Sequence, residues 1–245
     1  MTPGLENHLV DQLDGGDLFW HRLRWRIVRQ YLPKSKEFTL LDVGAGAGLL
    51  GHRLADEFPS ARYRFIEPIA ALREALRRRV GADADFAAQE SFAGVDVVVL
   101  LDVLEHQADD EGFMRELVRK MAPTATLLLT VPALPALWSA WDEGLGHYRR
   151  YTRRTLREVL ERTGLEVNEV SYLFPEMVPP ALARRFAPRP RVLSASEYAM
   201  PRLPRLVNHL LYSVGLVSQL LRRFHFVGTS VFAVARKPAT QARPR

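Results

Sequence analysis

A cluster of three glycines in the run LDVGAGAG, residues 41–48, constrains this chain more than any other feature. A short apolar segment, residues 38–43, leads into the cluster, and residues 49–58 follow it with helical spacing. Glycines at such a strand-to-helix junction allow a tight turn and let a ligand approach the backbone without Cβ atoms in the way. The cluster therefore predicts a ligand site at the carboxyl end of the first strand of an α/β sheet.

Apolar segments of strand type alternate with segments of helical spacing along most of the chain. Strands are predicted over residues 38–43, 63–67, 84–88, 95–101, 125–131, 165–174 and 231–236, and helices over 19–31, 49–58, 70–80, 109–121 and 152–162. This alternation favours parallel pairing with right-handed crossovers. It predicts an α/β fold, a doubly wound and mostly parallel sheet of seven strands with a helical insertion before the last strand.

The domain organisation follows from changes in composition. We assign residues 1–36 to an N-terminal helical cap, 37–174 and 226–238 to the ligand-binding domain, 175–225 to a helical insertion or lid, and 239–245 to a disordered tail. Within the insertion, residues 203–224 carry one amphipathic stripe of apolar side chains. Such a stripe fits a packing helix or lid, a dimer contact, or a peripheral membrane contact.

The net charge is +6, from 34 lysines and arginines against 28 aspartates and glutamates. The clustered arginines indicate either solvated helix faces or a basic surface for an anionic partner. The chain has no cysteine, which excludes disulfides, thiolate nucleophiles and cysteine-ligated metals. It lacks a basic start followed by an apolar run, and it lacks an apolar run of about eighteen residues. We therefore expect a cytoplasmic protein whose membrane contact, if any, is peripheral.

Two acidic residues distinguish between ligand classes at the glycine cluster. Asp42 closes the first strand, where the diphosphate of a dinucleotide would be repelled and a ligand with an ammonium and a sulfonium would be attracted. Glu67 closes the second strand and can accept hydrogen bonds from both ribose hydroxyls, a role shared by nicotinamide and adenosylmethionine folds. Asp42 is therefore the residue that distinguishes an adenosylmethionine site from a dinucleotide site.

The glycine run, Glu67 and the later run LDVLEH, residues 101–106, together resemble the class I S-adenosylmethionine-dependent methyltransferases, in particular the small-molecule branch similar to the ubiquinone-biosynthesis enzymes. The resemblance covers residues 38–174 and the last strand, which it implies is antiparallel. It implies S-adenosyl-L-methionine as cofactor and S-adenosyl-L-homocysteine as product. The cofactor site that it implies consists of Asp42, Gly44, Ala45, Gly46 and Gly48 at the amino-acid end, Glu67 and the adjacent Pro68 at the ribose, Glu90 and Ser91 near the adenine, and Leu101 and Asp102 beside the methionine portion.

Residues near that edge of the sheet could handle a methyl acceptor. The candidates for catalysis are His106, His147 and Asp142, and the candidates for binding the acceptor are Trp20, Arg149, Arg150 and Tyr151. Histidine titrates near neutral pH and can take a proton from a hydroxyl, arginines can clamp a carboxylate or phosphate, and a tryptophan can shield a sulfonium by cation–π attraction. The alternatives are a histidine that only hydrogen-bonds backbone, an aromatic loop with an internal salt bridge, and a packing helix.

The function predicted from these features is methyl transfer to a small-molecule or lipid-like acceptor. The alternatives are an RNA methyltransferase, which the arginines suggest, an NAD-dependent oxidoreductase, which Asp42 opposes, and a non-catalytic binding module. A nucleic-acid partner is disfavoured because residues 101–106 contain no stacking turn of the Asn/Asp-Pro-Pro-Tyr kind. No His/carboxylate set stands at the sequence spacing of metal ligands, so no metal is expected. The acceptor, the methylated atom and the oligomeric state remain open.

Overall fold

The structure, a computed structural model, describes residues 18–186 and 203–238, and the side chains of all of these except 184–186. Within these residues the chain forms six strands: β1 (Thr39–Val43), β2 (Arg62–Ile66), β3 (Val97–Leu101), β4 (Thr126–Pro132), β5 (Glu166–Leu173) and β6 (Ser230–Arg236). The α-helices are α1 (Phe19–Gln30), α2 (Leu49–Glu57), α3 (Ala70–Val80), α4 (Asp110–Lys120), α5 (Ala140–Leu145), α6 (Arg153–Arg162), α7 (Val178–Phe186) and α8 (Arg205–Leu220).

The six strands form one mixed sheet in the order β2-β1-β3-β4-β6-β5. The first four strands in this order are parallel to one another, and β6 runs antiparallel to both β4 and β5. β1 therefore lies between β2 and β3, and the chain order reverses at this point. Ligands of open α/β sheets bind at such a switch point, outside the carboxyl ends of the strands.

The prediction of a strand over residues 84–88, the third of the seven predicted strands, is wrong. Ala82–Ala84 form a 3-10 turn, and the segment touches the sheet through a single parallel bridge between Phe65 and Asp85. The amide of Phe86 donates to the carbonyl of Phe65 (2.8 Å), and the pairing ends there. The segment reads ADFAA, and alanine and aspartate are depleted in strands, so little favours a longer ladder at this edge of the sheet.

The other predicted strands and helices agree with the structure to within two residues at most ends. The predicted helix over 203–224 is α8 followed by a 3-10 turn, Arg222–Phe224. The predicted tail, residues 239–245, lies outside the described residues, as do residues 1–17 of the predicted cap and 187–202 of the predicted insertion. Among the described residues, no helix is both long and apolar enough to cross a bilayer.

Helix α1 covers one face of the sheet because one of its sides is apolar. Phe19, Leu23 and Ile27 recur at four-residue spacing and are buried against strand residues of β1, β4 and β6. Burial of each such side chain contributes about 1.5–3 kcal/mol. Helix α8 packs on α1, where Gly215 lies against Leu23 and the Gln219 side chain donates to the Leu23 carbonyl (2.7 Å). The two helices thus stand beside the carboxyl edge of the parallel strands.

Candidate active site

A cleft of about 690 Å³ opens at the carboxyl ends of β1 and β3, within the size range of small-molecule sites. Ten of the residues that the sequence assigns to a site line it: Trp20, Asp42, Gly44, Ala45, Gly46, Leu101, Asp102, His106, His147 and Arg150. The cleft therefore brings the glycine cluster, the turn after β3 and the loop after β4 to one place.

The glycine turn is shaped by backbone that other residues rarely adopt. Gly44, Gly46 and Gly48 all have positive φ, between 54° and 77°. A Cβ atom on Gly44 would lie 2.6 Å from the Val103 side chain. The amides of the turn are also occupied, since Gly44 donates to the Ile66 carbonyl (2.7 Å) and Gly46 to the Glu67 carboxylate (2.7 Å). These amides are not available as the anion cradle that a diphosphate requires.

Asp42 lies beneath the turn and is only 3% exposed. Its carboxylate accepts a hydrogen bond from the Tyr63 hydroxyl (2.8 Å). Burial raises the pKa of Asp42 to about 7; the Tyr63 hydrogen bond opposes the rise and the charge of Glu67 adds to it. A cationic group in the cleft would favour the ionised form of Asp42, which agrees with the ligand preference inferred from the sequence.

Glu67 is buried at the end of β2 and ties that strand to the glycine turn. One carboxylate oxygen accepts from the amide of Gly46 (2.7 Å) and the other from the amide of Ile69 (2.8 Å). Burial raises the pKa of Glu67, and the two backbone hydrogen bonds oppose the rise. Glu67 is not among the residues that line the cleft, so its contact with a ribose remains a prediction.

Four other residues assigned to the cofactor site lie outside the cleft lining. A Cβ atom on Gly48 would meet the Leu76 side chain (2.5 Å), so this glycine serves the packing of α2 against α3. Pro68, Glu90 and Ser91 are exposed, and Glu90 lies 3.8 Å from the guanidinium of Arg119. Their roles around the ribose and adenine remain predictions.

Asp102 occupies a special position at the end of β3. Its backbone is left-handed, with φ 59°, a conformation that non-glycine residues adopt at a cost. Its carboxylate accepts from the Thr130 hydroxyl (3.1 Å) and forms an ion pair with Arg24 of α1. Arg24 belongs to the N-terminal helix that the sequence offers, with Trp20, as a possible cover of the cofactor, but nothing in the local pattern predicts its pairing with Asp102.

Asp142 anchors the loop after β4. It is fully buried, and Arg150 binds both of its oxygens (2.7 and 3.0 Å) while the His147 ring lies 3.0 Å from one of them. Burial alone would raise the pKa of Asp142, but the hydrogen bonds from His147 and Arg150 lower it below its usual value. The structure thus places Asp142 behind the cleft wall as the partner of two residues that do line the cleft.

Arg149 and Tyr151 point towards the start of α4. Arg149 pairs with Asp110 (2.6 Å) and donates to the Ala108 carbonyl (2.6 Å), and the buried Tyr151 hydroxyl donates to Asp110 (2.7 Å). Neither residue lines the cleft. Their proposed contact with an acceptor remains a prediction that the geometry does not favour.

A second cavity, of about 360 Å³, adjoins the cleft. The two share Trp20, Trp141 and Met177 in their walls, together with Arg24 and Arg150. Its remaining walls are mostly apolar and come from distant segments: Phe19, Leu137, Phe174 and Pro180. The sequence places Trp141 in an aromatic loop that could handle the acceptor, but it gives Met177 no role, because their proximity depends on how the loop after β4 meets the segment after β5.

The chain belongs to a family of methyltransferase domains, whose model matches residues 19–170. The match contains the glycine turn, the strands β1 to β4 and the loop that carries His147 and Arg150. Family membership makes the chain a methyltransferase with S-adenosylmethionine as its methyl donor. No curated protein is similar to it in sequence.

Solved structures share the fold at low sequence identity. One is a chain of the Haloferax volcanii complex that contains the Trm112 methyltransferase activator, with TM-score 0.59 and 15% identity over 90% of this chain and 91% of that one. Another is the Haemonchus contortus phosphoethanolamine N-methyltransferase 2 with S-adenosyl-L-methionine, with TM-score 0.57 and 16% identity over 90% of this chain and 53% of that one. A methyltransferase from Archaeoglobus fulgidus has TM-score 0.53 and 15% identity, over 89% of this chain and 94% of that one.

The cleft fits an S-adenosylmethionine molecule. Gly44 and Gly46 line the cleft with positive-φ backbone, and a Cβ atom on Gly44 would collide with Val103 and distort the turn. Asp42 and Asp102 place carboxylates on the cleft wall, where they suit the ammonium and sulfonium of the cofactor. Gly44, Gly46 and Asp42 would hold its amino-acid end.

Proposed function

We propose that this methyltransferase acts on a small amphiphilic, lipid-like acceptor that it takes from a membrane surface. The apolar second cavity that opens into the cofactor cleft carries the proposal. Methyl transfer is an in-line displacement at carbon, so the enzyme has mainly to align the acceptor with the methyl group and exclude water. The bound S-adenosylmethionine supplies the methyl group on a sulfonium.

The second cavity suits the apolar body of such an acceptor. Phe19, Leu137 and Phe174 offer hydrocarbon contacts, and the shared wall of Trp20 and Trp141 leads from this cavity to the cleft. Arg150 also lines both spaces, although its guanidinium is engaged with Asp142. An acceptor whose polar end reaches the cleft and whose apolar end remains in the second cavity would be held in one orientation.

The outer face of α8 and the turn after it supports a membrane contact. Its apolar side chains turn outwards: Leu206, Val207, Leu210, Val214, Val217, Leu220, Leu221, Phe224, Phe226 and Val227 are exposed, several of them by more than 60%. Residues 203–228 contain arginines and no acidic residue. A contiguous exposed apolar face of this kind marks an interaction surface, and its positive charge complements an anionic lipid surface. We accordingly propose that α8 and the turn after it, residues 205–224, face the membrane.

Not all of the arginines in and after α8 face outwards. Arg222 is only 13% exposed, pairs with Glu169 (3.2 Å) and donates to the Tyr31 hydroxyl (2.7 Å), so it joins the turn to the body of the protein. Arg223 lies 3.7 Å from Glu169 but is 76% exposed, and Arg205 at the start of α8 is also exposed. Arg205 and, because of its exposure, Arg223 are therefore better placed than Arg222 to meet lipid phosphates on this surface.

The structure gives less support to an RNA substrate. Several arginines that contribute to the basic composition are engaged with carboxylates of the protein itself, among them Arg24, Arg149, Arg150 and Arg222. An arginine in such a pair is less available for phosphate contacts. An NAD-dependent oxidoreductase does not agree with the family to which the chain belongs.

The proposal is tested by incubating the full chain with methyl-labelled S-adenosylmethionine and a cell extract separated into lipid, polar and RNA fractions. We expect label in a lipid-extractable product, with none in the RNA fraction. The matched control is Gly44→Ala, in which the new Cβ atom would collide with Val103 and distort the turn that we expect to hold the cofactor. Label that appears only in the polar fraction or in RNA would contradict the proposed acceptor class.

A further inference from the structure

Three side chains of metal-binding type converge at the inner end of the cleft. Glu105, His106 and His147 each offer a ligand atom, and these atoms all lie within 4.8 Å of one another. Glu105 and His106 belong to the 3-10 turn after β3, and His147 follows α5. The amide of Tyr148 donates to the Glu105 carbonyl (2.8 Å), which fixes the two segments against each other.

Glu105 is the least satisfied of the three. Its side chain is fully buried, and neither carboxylate oxygen accepts a hydrogen bond from any described residue. A buried carboxylate without donors is costly, and such groups are normally paired or bound to a metal ion. Glu105 also lines the cleft, so a cation could reach it from solvent.

His147 is oriented as a metal ligand requires. The Asp142 carboxylate already accepts from Arg150 at both oxygens, and His147 Nδ1 lies 3.0 Å from one of them, so the His147 Nδ1–H donates to it. The other ring nitrogen, Nε2, is then left with its lone pair when the imidazole is neutral. A carboxylate that orients a histidine in this way is the usual outer partner of a metal-ligating imidazole. The His106 ring is in edge contact with that of His147, with centroids 4.7 Å apart.

The charges around the cluster also favour a cation. Asp102 and Asp142 add two further carboxylates to the surroundings of Glu105. Two guanidiniums are close, and each is already paired, Arg24 with Asp102 and Arg150 with Asp142. The three carboxylates of this neighbourhood therefore outnumber its two guanidiniums, which favours binding of a cation.

We infer that Glu105, His106 and His147 bind one divalent cation of the zinc type at the inner end of the cleft. Two imidazoles and one carboxylate suit Zn²⁺ or Co²⁺ better than Mg²⁺, which prefers oxygen ligands. Three protein ligands leave at least one coordination position open towards the cleft, as in catalytic zinc sites. Local sequence spacing did not reveal this set because the third ligand lies in a different loop from the adjacent pair.

The role of the ion rests on the proposed function. An acceptor hydroxyl bound at the open position would lose its proton to water more readily, because a bound divalent cation lowers the pKa of an oxygen ligand. The oxygen then forms the new O–CH₃ bond as the S–CH₃ bond breaks, and the sulfur keeps the electron pair and becomes a neutral thioether. The ion would thus replace a protein base.

Titration of the tag-free full chain with Co²⁺ tests the site directly, since the visible absorption of the bound ion reports nitrogen ligation. We expect one equivalent to bind, and we expect Zn²⁺ to displace it. Glu105→Gln and His147→Asn should each weaken binding by at least about tenfold. The control is His209→Ala, because His209 lies exposed on α8 and its loss should leave the titration unchanged.

Calorimetry with S-adenosylhomocysteine on the same samples separates the two proposals. If S-adenosylhomocysteine binds but neither Co²⁺ nor Zn²⁺ does, the metal site is refuted and the methyltransferase assignment stands. If the metal binds and S-adenosylhomocysteine does not, the metal site stands and the methyltransferase assignment is refuted. Equal Co²⁺ affinity in the wild type and both cluster variants would also refute the site. Thermal melting checks that each variant is folded, and His147→Asn decides the matter should Glu105→Gln not fold.

Discussion

Arg24 of α1 forms an ion pair with Asp102, which holds a left-handed backbone at the end of β3. Both residues line the cofactor cleft, and both side chains are largely shielded from solvent, with exposures of 18% and 29%. The pair connects the first helix to the edge of the sheet where the methyl donor binds. The position of α1 and the shape of the cleft are therefore linked.

Replacing Arg24 should weaken cofactor binding without unfolding the protein. In Arg24→Gln the carboxylate of Asp102 loses its cationic partner, and the turn after β3 becomes less well defined. We expect the affinity for S-adenosylhomocysteine to fall about tenfold, the order expected for losing one partner of a partly buried pair. Calorimetry measures the change, and Arg26→Gln, an exposed position on the same helix, serves as the control. Equal affinities for both variants would contradict the link.

The glycine turn offers a steric test. Gly44→Ala should abolish detectable cofactor binding, because the new Cβ atom would lie 2.6 Å from the Val103 side chain and the backbone has φ 75°. The double variant Gly44→Ala with Val103→Ala removes the collision and should recover part of the affinity. The recovery should stay incomplete, since a left-handed alanine still costs about 1 kcal/mol. A double variant no better than Gly44→Ala alone would show that the collision is not the cause.

Asp42 should make the protein less stable as the pH rises. Its pKa is about 7 in the folded state against an ordinary value of 3.8, so between these values the folded state binds more protons than the unfolded state. The free energy of unfolding should therefore fall between pH 4 and 7, by at most about 4 kcal/mol. Asp42→Asn removes this dependence and should be the more stable protein at pH 8.

Urea unfolding at pH 5, 6, 7 and 8 measures this effect for the wild type and Asp42→Asn. The advantage of the variant should grow with pH over this range. Glu90→Gln provides the matched control, because Glu90 is exposed and its removal should shift all four values alike. Parallel curves for the wild type and Asp42→Asn would show that Asp42 titrates normally in the folded protein.

The outer face of α8 should bind anionic membranes. Vesicles that contain phosphatidylglycerol should retain the wild type, while neutral phosphatidylcholine vesicles should retain it less. Leu210→Asp with Leu220→Asp should reduce retention by at least about tenfold, because both side chains are exposed and their hydrocarbon contributes to insertion. Val80→Asp, an exposed apolar position on α3, should have no effect.

A second outcome would assign the same face to another copy of the chain. If the wild type ignored both kinds of vesicle and formed a dimer in sedimentation experiments that Leu210→Asp with Leu220→Asp dissolved, the membrane contact would be wrong. Sedimentation without lipid therefore accompanies the vesicle measurement.

Much of the fold could be predicted because its signals are local. The apolar runs of β3 and β4 lie in the buried centre of the sheet, and glycine or proline marks the ends of neighbouring segments. The prediction of a strand over residues 84–88 was wrong because this segment forms only one bridge to the sheet. A pattern of apolar residues alone does not reveal how many bridges a segment will form.

The site was predictable only in part, for the same reason. The glycine turn and Asp42 are contiguous in sequence, so their proximity is certain before the chain folds. The pairing of Arg24 with Asp102, and the convergence of His147 on Glu105, join segments that only the assembled sheet brings together. Local spacing records what a segment can contribute and says nothing of which distant segment it will meet.

Helix α8 rests on α1, and β6 fills the gap between β4 and β5. The cleft wall that includes α1 is therefore held in place by a part of the chain that leaves the ribosome nearly two hundred residues later, as the hydrogen bond between Gln219 and Leu23 illustrates. A nascent chain cannot join β5 to its sheet until β6 has emerged, nor secure its first helix until α8 has. Competence to bind the methyl donor should therefore arise only after residues 205–236 have been synthesised.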